Sequence, residues 1–173
     1  PGRKVYILDS ESTGPVMEMM LEKFRELSLA GKSFEEVQEY MKDYFKTVHC
    51  WWSLENVHNF VATGSRHAAA AFIIKIFGIN IVGTTEGGEL IPTYKCRGTG
   101  KSVSKVYESM LSDGYKGGKV RLSHSFNKDA VTQLTKLIHN DYPGADVKAR
   151  LNCGLCGYYV EKGGFMVGFE EKR

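Results

Sequence analysis

The chain has 173 residues, of which 42% are hydrophobic and 25% charged, with a formal net charge of +3. This composition is typical of a folded globular protein, and its Lys and Arg residues alternate with Glu instead of forming the basic blocks of a nucleic-acid-binding surface. The longest uninterrupted apolar run, Ala68 to Ile74, is shorter than the roughly 20 residues of a membrane helix, so we expect a cytoplasmic protein with no nucleic-acid partner and no stable membrane insertion.

The first part of the chain predicts a strand followed by two helices. Lys4 to Leu8 is strand-like, and a polar turn leads from it into a Met-rich helix that begins at Pro15 and ends near Gly31. A second helix follows, with a capping box formed by Ser33 and Glu36 and a single apolar face. A strand that leads directly into a helix is typical of an α/β crossover.

Six further strands are predicted from residue 49 onward, and helical patterns separate several of them. The strands are Cys50 to Leu54, Ile79 to Thr85, Leu90 to Tyr94, Val120 to Phe126, Val147 to Leu151 and Phe165 to Phe169. The helical patterns include Ala68 to Phe77 and Lys101 to Leu111, and a short Gly-rich helical turn precedes the last strand. The turn Glu86-Gly87-Gly88 indicates an antiparallel hairpin. The last strand is apolar on both faces apart from Gly168, which predicts a buried position within the sheet.

These elements predict an α/β fold with α+β character. Residues 49–173 would form a two-layer domain with a mixed six-stranded sheet and helices. Residues 1–48 would be the strand and two helices that remain from a truncated parallel-sheet domain. The reason is that the opening strand has no sheet partners of its own in this prediction, and an unpaired strand leaves backbone groups unsatisfied.

Four runs of the sequence carry a resemblance to a known family. They are D-S-E-S-T-G-P at 9–15, G-G-E-L-I-P-T-Y-K-C-R-G at 87–98, Y-K-G-G-K-V-R-L-S-H-S-F-N at 115–127 and C-G-L-C-G-Y-Y-V-E-K-G-G-F-M-V-G-F-E at 153–170. With these runs, nearly the whole chain resembles the DegV family of bacterial fatty-acid-binding proteins. The resemblance implies a parallel-sheet first domain, a second domain with a mixed six-stranded sheet, and a long-chain fatty acid held between them.

The same resemblance implies a lipid-binding protein that is not an enzyme and has no cofactor. It would present the carboxylate of its fatty acid to a partner fatty acid kinase, which makes the acyl phosphate. On this reading the present chain supplies the second domain and the end of the first. Its cysteines would be reduced, structural thiols.

Candidate lipid-binding residues follow from matching this sequence to the family pattern. Thr13 and Gly14 correspond to a small, hydroxyl-bearing turn, and Arg66 stands one position after the place of a family arginine, which is Ser65 here. Tyr159 replaces a histidine that many relatives carry before the final strand. We expect the carboxylate near Thr13, Arg66 and Tyr159. Two methionines, Met17 and Met20, could line an acyl tunnel because thioethers adapt to a flexible chain, although core filling is the ordinary role for either.

A thiol pair and a basic cluster suggest a second class of function, a small-molecule enzyme or thiol redox protein. Cys153 and Cys156 have the spacing of a redox pair or half a zinc site, but Cys50 and Cys96 are isolated, so four zinc ligands are not predicted. We predict no metal site. The remaining alternative for this pair is two small buried thiols with a structural role.

The basic cluster of Lys95, Arg97 and Lys101 lies at the start of a predicted helix, where free N–H groups favour anions. The run from Gly98 to Ser102 resembles a phosphate-binding loop, but Lys95 stands where that loop requires its first glycine. We therefore interpret the cluster as a partner-facing edge, with a solvated basic surface as the alternative. The sequence shows no Ser-His-Asp arrangement and no paired carboxylates, so no catalytic residue is predicted.

Overall fold

The computed structural model describes residues 2–63 and 78–171. Its elements, in chain order, are α1 (Pro15–Leu29), α2 (Phe34–Phe45), β1 (Val48–Leu54), α3 (His58–Ala62), β2 (Ile79–Glu86), β3 (Glu89–Arg97), α4 (Gly98–Ser112), β4 (Tyr115–His124), α5 (Lys128–Asp141), β5 (Val147–Leu151), α6 (Gly154–Val160) and β6 (Phe165–Glu171). Each of the six strands predicted after residue 48 is present. The helix predicted at Ala68 to Phe77 falls outside the described residues.

The six strands form one mixed sheet in the order β3-β2-β1-β6-β4-β5. β4 and β5 run parallel, and the other neighbours are antiparallel. The hairpin predicted around Gly87 and Gly88 is confirmed, with Glu86 opposite Glu89. β6 lies inside the sheet between β1 and β4, where its apolar side chains are buried on both faces, as the sequence predicts.

Helices cover both faces of the sheet, and each face has its own apolar core. The inward alternation of the strands places Trp51, Val120 and Phe169 against α4 and α5. The opposite face carries Trp52 and Met166, which pack against α1, α2 and the end of α6. Helices α4 and α5 thus cover one face of the sheet, and α1, α2 and the end of α6 cover part of the other.

The strand predicted at Lys4 to Leu8 is wrong, because residues 2–10 contain no helix or strand. None of the six strands pairs with this segment. Its Val5 and Ile7 side chains are 82% and 85% exposed. Strand structure depends on a neighbour that accepts and donates the ladder hydrogen bonds, and the described residues offer none to this segment.

The predicted strand end at Phe126 is also wrong, since β4 ends at His124. Ser125 then exchanges backbone hydrogen bonds with Gly163 and Gly164, and Phe126 turns outward with a φ of 57° and 80% exposure. His124, the last residue of β4, is buried. Its Nδ1 accepts a hydrogen bond of 3.1 Å from the Asn127 amide, and burial lowers its pKa.

Helix α1 lies very close to β6 at Gly168. A Cβ atom added to Gly168 would stand 3.0 Å from the Pro15 carbonyl carbon and 3.0 Å from the Val16 nitrogen, which are the first backbone atoms of α1. Pro15 suits this position because the first helical turn leaves its N–H groups unpaired. Because Gly168 has no side chain, the first residues of α1 can lie directly against β6.

A buried arginine holds the same helix at its middle. Arg121, on β4, is 1% exposed, and its Nε donates to Glu22 Oε1 of α1 at 3.0 Å. Its other nitrogens donate to the Asp146 carboxylate at 2.8 Å and to the carbonyl oxygens of Val120 and Asp146. A guanidinium fork is suited to such a set of planar acceptors, so the buried charge is fully paired.

We predict that Gly168→Ala lowers the free energy of unfolding by about 2 kcal/mol, because the added methyl group forces α1 away from β6. Urea denaturation with a two-state fit measures the change. Gly144→Ala is the matched control, since a Cβ atom at Gly144 meets nothing within 4 Å. Equal losses in the two variants would contradict the close approach.

We also predict a pH dependence from Glu22. Burial alone would raise the pKa of Glu22, but the hydrogen bond and charge of Arg121, with Lys119 and Lys148, lower it from 4.5 to about 2. Between these values the unfolded chain binds more protons than the folded one, so the stabilisation is complete above pH 4.5 and is lost as the pH falls through about 2.

The variant Glu22→Gln should lower the free energy of unfolding by about 2 kcal/mol at neutral pH, and the difference from wild type should shrink as the pH falls below 4.5. Urea denaturation at several pH values tests this. Glu39→Gln, on an exposed part of α2, is the control and should give only a small difference from wild type at neutral pH. A constant difference for Glu22→Gln would show that its charge is not coupled to folding.

Candidate functional site

An apolar cavity of about 200 Å³ opens beside the N-terminal segment and is closed below by the sheet. Its walls come from residues 11–13, the β2–β3 hairpin, α3 and α6. The apolar lining includes Trp52, Leu54, Phe60, Leu90, Val160 and Met166. An elongated apolar ligand is the kind of molecule that such a lining stabilises.

Strand alternation brings the floor of this cavity together. Trp52 and Leu54 lie two residues apart on β1, so they share one face of the sheet with Met166 of the neighbouring strand β6. Trp52 Nε1 donates to the Thr84 carbonyl oxygen at 2.8 Å, which fixes the indole ring across β2. The floor is therefore rigid and belongs to the sheet.

The predicted pair Thr13 and Gly14 lies at one wall. The Thr13 hydroxyl is 3.2 Å from the Cys156 thiol of α6, within hydrogen-bond distance for sulfur. Gly14 has φ 54° and ψ −121°, a conformation that other residues rarely adopt, and it packs against Cys156 and the Met166 side chain. This turn places a hydroxyl on the cavity immediately before α1 begins.

Tyr159 lines the cavity from the α6 side, as the predicted site requires. Its ring lies 4.6 Å from the ring of Phe60 in α3, measured between centroids. The two helices are joined by Glu161, whose carboxylate accepts hydrogen bonds from the Asn59 amide at 2.8 Å and lies 3.2 Å from His58 Nδ1. Thr13 and Tyr159 are thus brought to one cavity from distant parts of the sequence.

The other predicted lipid-binding residues lie elsewhere or outside the described part of the chain. Met17 is 37% exposed on the outer side of α1, and Met20 is 5% exposed in the core between α1, α2 and the sheet. Neither is among the residues that line the cavity. Arg66 falls outside the described residues, so its role stays a prediction.

The basic cluster lies at the far end of β3 from the cavity. Leu90 lines the cavity near the start of the strand, and Lys95 lies five residues further on, about 17 Å along an extended chain. Lys95, Arg97 and Lys101 are exposed, and α4 begins at Gly98 with no side-chain cap on its first turn. The cluster is a surface separate from the cavity.

The four cysteines are free thiols in different surroundings. Cys50 and Cys96 are buried, whereas Cys153 is exposed and Cys156 is half-buried at the cavity wall, so the expectation that Cys153 and Cys156 are both buried is wrong. Burial raises the pKa of Cys50 to about 11, although the neighbouring Thr85 side chain acts in the opposite direction. Within residues 2–63 and 78–171, no three His, Cys, Asp or Glu side chains gather as metal ligands.

Sequence reasoning missed the aromatic lining of the site. Trp52 and Phe60 were not singled out, although the alternation of β1 places Trp52 on the face opposite the α4 and α5 core. Cys156 was interpreted through its spacing from Cys153, whereas the structure pairs it with Thr13, 143 positions away. No local sequence signal indicates a contact of that separation.

The DegV family model, described as an uncharacterised protein family, matches residues 1–172. The chain belongs to the DegV family. A DegV domain-containing protein of Streptococcus pneumoniae is 33% identical over 171 residues, which cover 98% of this chain and 61% of that relative. The chain therefore spans about 61% of the length of the DegV relative it matches.

Two DegV crystal structures at similar identity have nearly the same fold. One is the Streptococcus pneumoniae Fatty Acid Kinase (Fak) B3 protein loaded with linoleic acid, with a TM-score of 0.92 and 32% identity over 98% of this chain and 60% of that one. The other is a DegV protein of Eubacterium eligens loaded with heptadecanoic acid, with a TM-score of 0.92 and 34% identity over 98% of this chain and 62% of that one. The predicted DegV membership and mixed-sheet fold are confirmed.

Among the described residues, no helix has the length and hydropathy to cross a membrane.

We predict an order of alkylation for the four thiols. Cys153 should react fastest with iodoacetamide at pH 8, Cys156 more slowly because Thr13 and the cavity wall partly cover it, and Cys50 and Cys96 least because burial raises their pKa values. Peptide mass spectrometry over time measures the order, and the urea-unfolded protein, in which all four should react alike, is the control. If Cys50 were modified at the rate of Cys153, the Cys50 thiol would not be buried as the structure shows.

Proposed function

We propose that this protein is a fatty-acid carrier and that the cavity between residues 11–13, β2–β3 and α6 holds part of the acyl chain. The proposal rests on the apolar cavity. Thr13 and Tyr159 both line this cavity, and Trp52, Leu54 and Met166 form its floor. Burial of each methylene group is worth about 0.8 kcal/mol before ordering costs, so the apolar lining supplies most of the affinity.

The DegV relatives loaded with linoleic and heptadecanoic acid support this ligand class. We propose, as the resemblance to the DegV family implies, that the acid lies between this domain and a preceding one, of which residues 1–48 carry the end. The greater length of the relatives supports that arrangement. The carboxylate would lie near Thr13, Tyr159 and Arg66, where a guanidinium and hydroxyls provide charge-assisted hydrogen bonds.

We further propose that the protein carries its ligand unchanged and presents it in the cytoplasm to a fatty acid kinase. The similarity to the Fak B3 protein supports a kinase partner. Lys95, Arg97 and Lys101 are proposed to face that partner, since their exposed positive charges can steer an acidic surface. Their separation from the cavity along β3 means that the partner would have to contact both ends of this strand.

Cys156 provides a direct test of where the ligand lies. With the full-length protein stripped of lipid, addition of oleate below its micelle concentration should slow iodoacetamide labelling of Cys156 at least tenfold. Cys153 is the internal control, because it is exposed and does not line the cavity, so its labelling rate should not change. Native mass spectrometry of the same samples should show one bound oleate.

Binding without protection of Cys156 would place the acid elsewhere, and the absence of bound oleate would refute the carrier proposal. In the same assay Arg66→Ala should weaken binding more than Arg97→Ala, which alters the proposed partner-facing edge. Equal affinities of wild type and Arg66→Ala would remove Arg66 from the site.

A further inference from the structure

A second cavity lies behind the first, and two hydroxyl-bearing residues stand between them. The second cavity has a volume of about 190 Å³ and is lined by polar residues such as Ser10, His49 and Thr84. Ser12 and Thr85 line both cavities. They come from opposite sides, Ser12 from the segment before α1 and Thr85 from the end of β2.

The hydroxyl oxygens of Ser12 and Thr85 are buried, and neither has a hydrogen bond to an oxygen or nitrogen atom of the described residues, although Thr85 interacts weakly with the Cys50 thiol. Each has less than 1 Å² of exposed surface, and neither has a partner of normal geometry among the described residues. Thr85 lies beside the Cys50 thiol, which is a weak hydrogen-bonding group. The hydroxyls around them are paired, since Ser10 donates to the Ser12 carbonyl oxygen at 3.2 Å and Thr84 donates to the Cys50 carbonyl oxygen at 2.8 Å.

These two hydroxyls at the boundary between the cavities favour a ligand that places a polar atom beside them. Burial of a hydroxyl without a partner is unfavourable, and a plain hydrocarbon chain in the cavity would leave both oxygens in that state. A hydroxyl or keto oxygen on the chain would provide the missing partner. Both residues border the apolar cavity, and binding such a group requires a change of χ1 rotamer that turns their hydroxyls toward it.

This boundary lies away from the proposed position of the carboxylate. Thr13 points to α6, where its hydroxyl contacts Cys156, and Tyr159 lies on the same helix. Ser12 and Thr85 instead form the β2 side, toward the second cavity. A carboxylate held at α6 therefore leaves Ser12 and Thr85 beside the chain of the ligand.

We propose that the ligand class of this protein is a long-chain fatty acid with a hydroxyl or keto group on its chain, held by Ser12 and Thr85. This inference rests on the proposed carrier function and narrows it to oxygenated acids. The second cavity adjoins Ser12 and Thr85 and provides space for the hydroxyl or keto group of the ligand.

The test compares octadecanoic acid with its mid-chain hydroxy derivatives in a displacement assay on the full-length, delipidated protein. Wild type should bind at least one hydroxy acid about fivefold more tightly than octadecanoic acid, which corresponds to one added hydrogen bond. Ser12→Ala with Thr85→Val should abolish this preference by weakening the binding of the hydroxy acid about fivefold relative to that of octadecanoic acid.

Two controls accompany the test. Thr85→Ser keeps the hydroxyl and should keep the preference. Thr132→Val removes a hydroxyl on α5 that donates to the Lys128 carbonyl oxygen, remote from the cavity, and should also keep it. If the double variant fails to fold by circular dichroism, Ser12→Ala alone is compared, with a reduced preference expected.

Each contrary result is distinct. Equal binding of both acids by wild type, or a preference that persists without the hydroxyls, would overturn the inference and leave the carrier function standing. Equal weakening of both acids by the double variant would mean that the hydroxyls hold the carboxylate, which also overturns it. Binding of neither acid would refute the carrier function and this inference together.

Discussion

The close approach of α1 to β6 at Gly168 is the contact on which the site depends. Because no side chain intervenes, the first residues of α1 rest on the central strand of the sheet, and the segment before the helix is carried to the edge of the cavity. Thr13 and Ser12 owe their positions to this contact.

Electrostatics fix the same helix at a second point. Arg121 is buried, and its cost of desolvation is offset only because Glu22, Asp146 and two carbonyl oxygens surround the guanidinium. Such a pair adds little net stability compared with an apolar contact, but it requires that the face of α1 that carries Glu22 is turned toward β4. Glu18, one turn earlier, pairs with Arg150 of β5 in the same network.

The candidate site combines a rigid floor with a polar wall. The floor of Trp52, Leu54 and Met166 lies on β1 and β6, which are paired strands in the centre of the sheet. Residues 11–13 form no helix or strand, and Glu11 has a φ of 42°. Residues that adopt unfavourable backbone angles are held there by their surroundings. Here those surroundings are the β2–β3 turn, where Gly88 approaches Glu11, and α6 on the other side.

The sequence by itself determined the strands after residue 48, the hairpin, the capping box at Ser33 and the interior place of β6, because these features follow from periodicity and turn chemistry within a few residues. Its resemblance to the DegV family also led to Thr13 and Tyr159, which share the cavity. Only the tertiary structure showed that Lys4 to Leu8 forms no strand here, since a strand depends on a partner that local propensity does not reveal. The contact of Thr13 with Cys156, the core position of Met20 and the unpaired hydroxyls of Ser12 and Thr85 were likewise decided by long-range packing. Residues far apart in the chain meet there, and no local pattern encodes which of them will be neighbours.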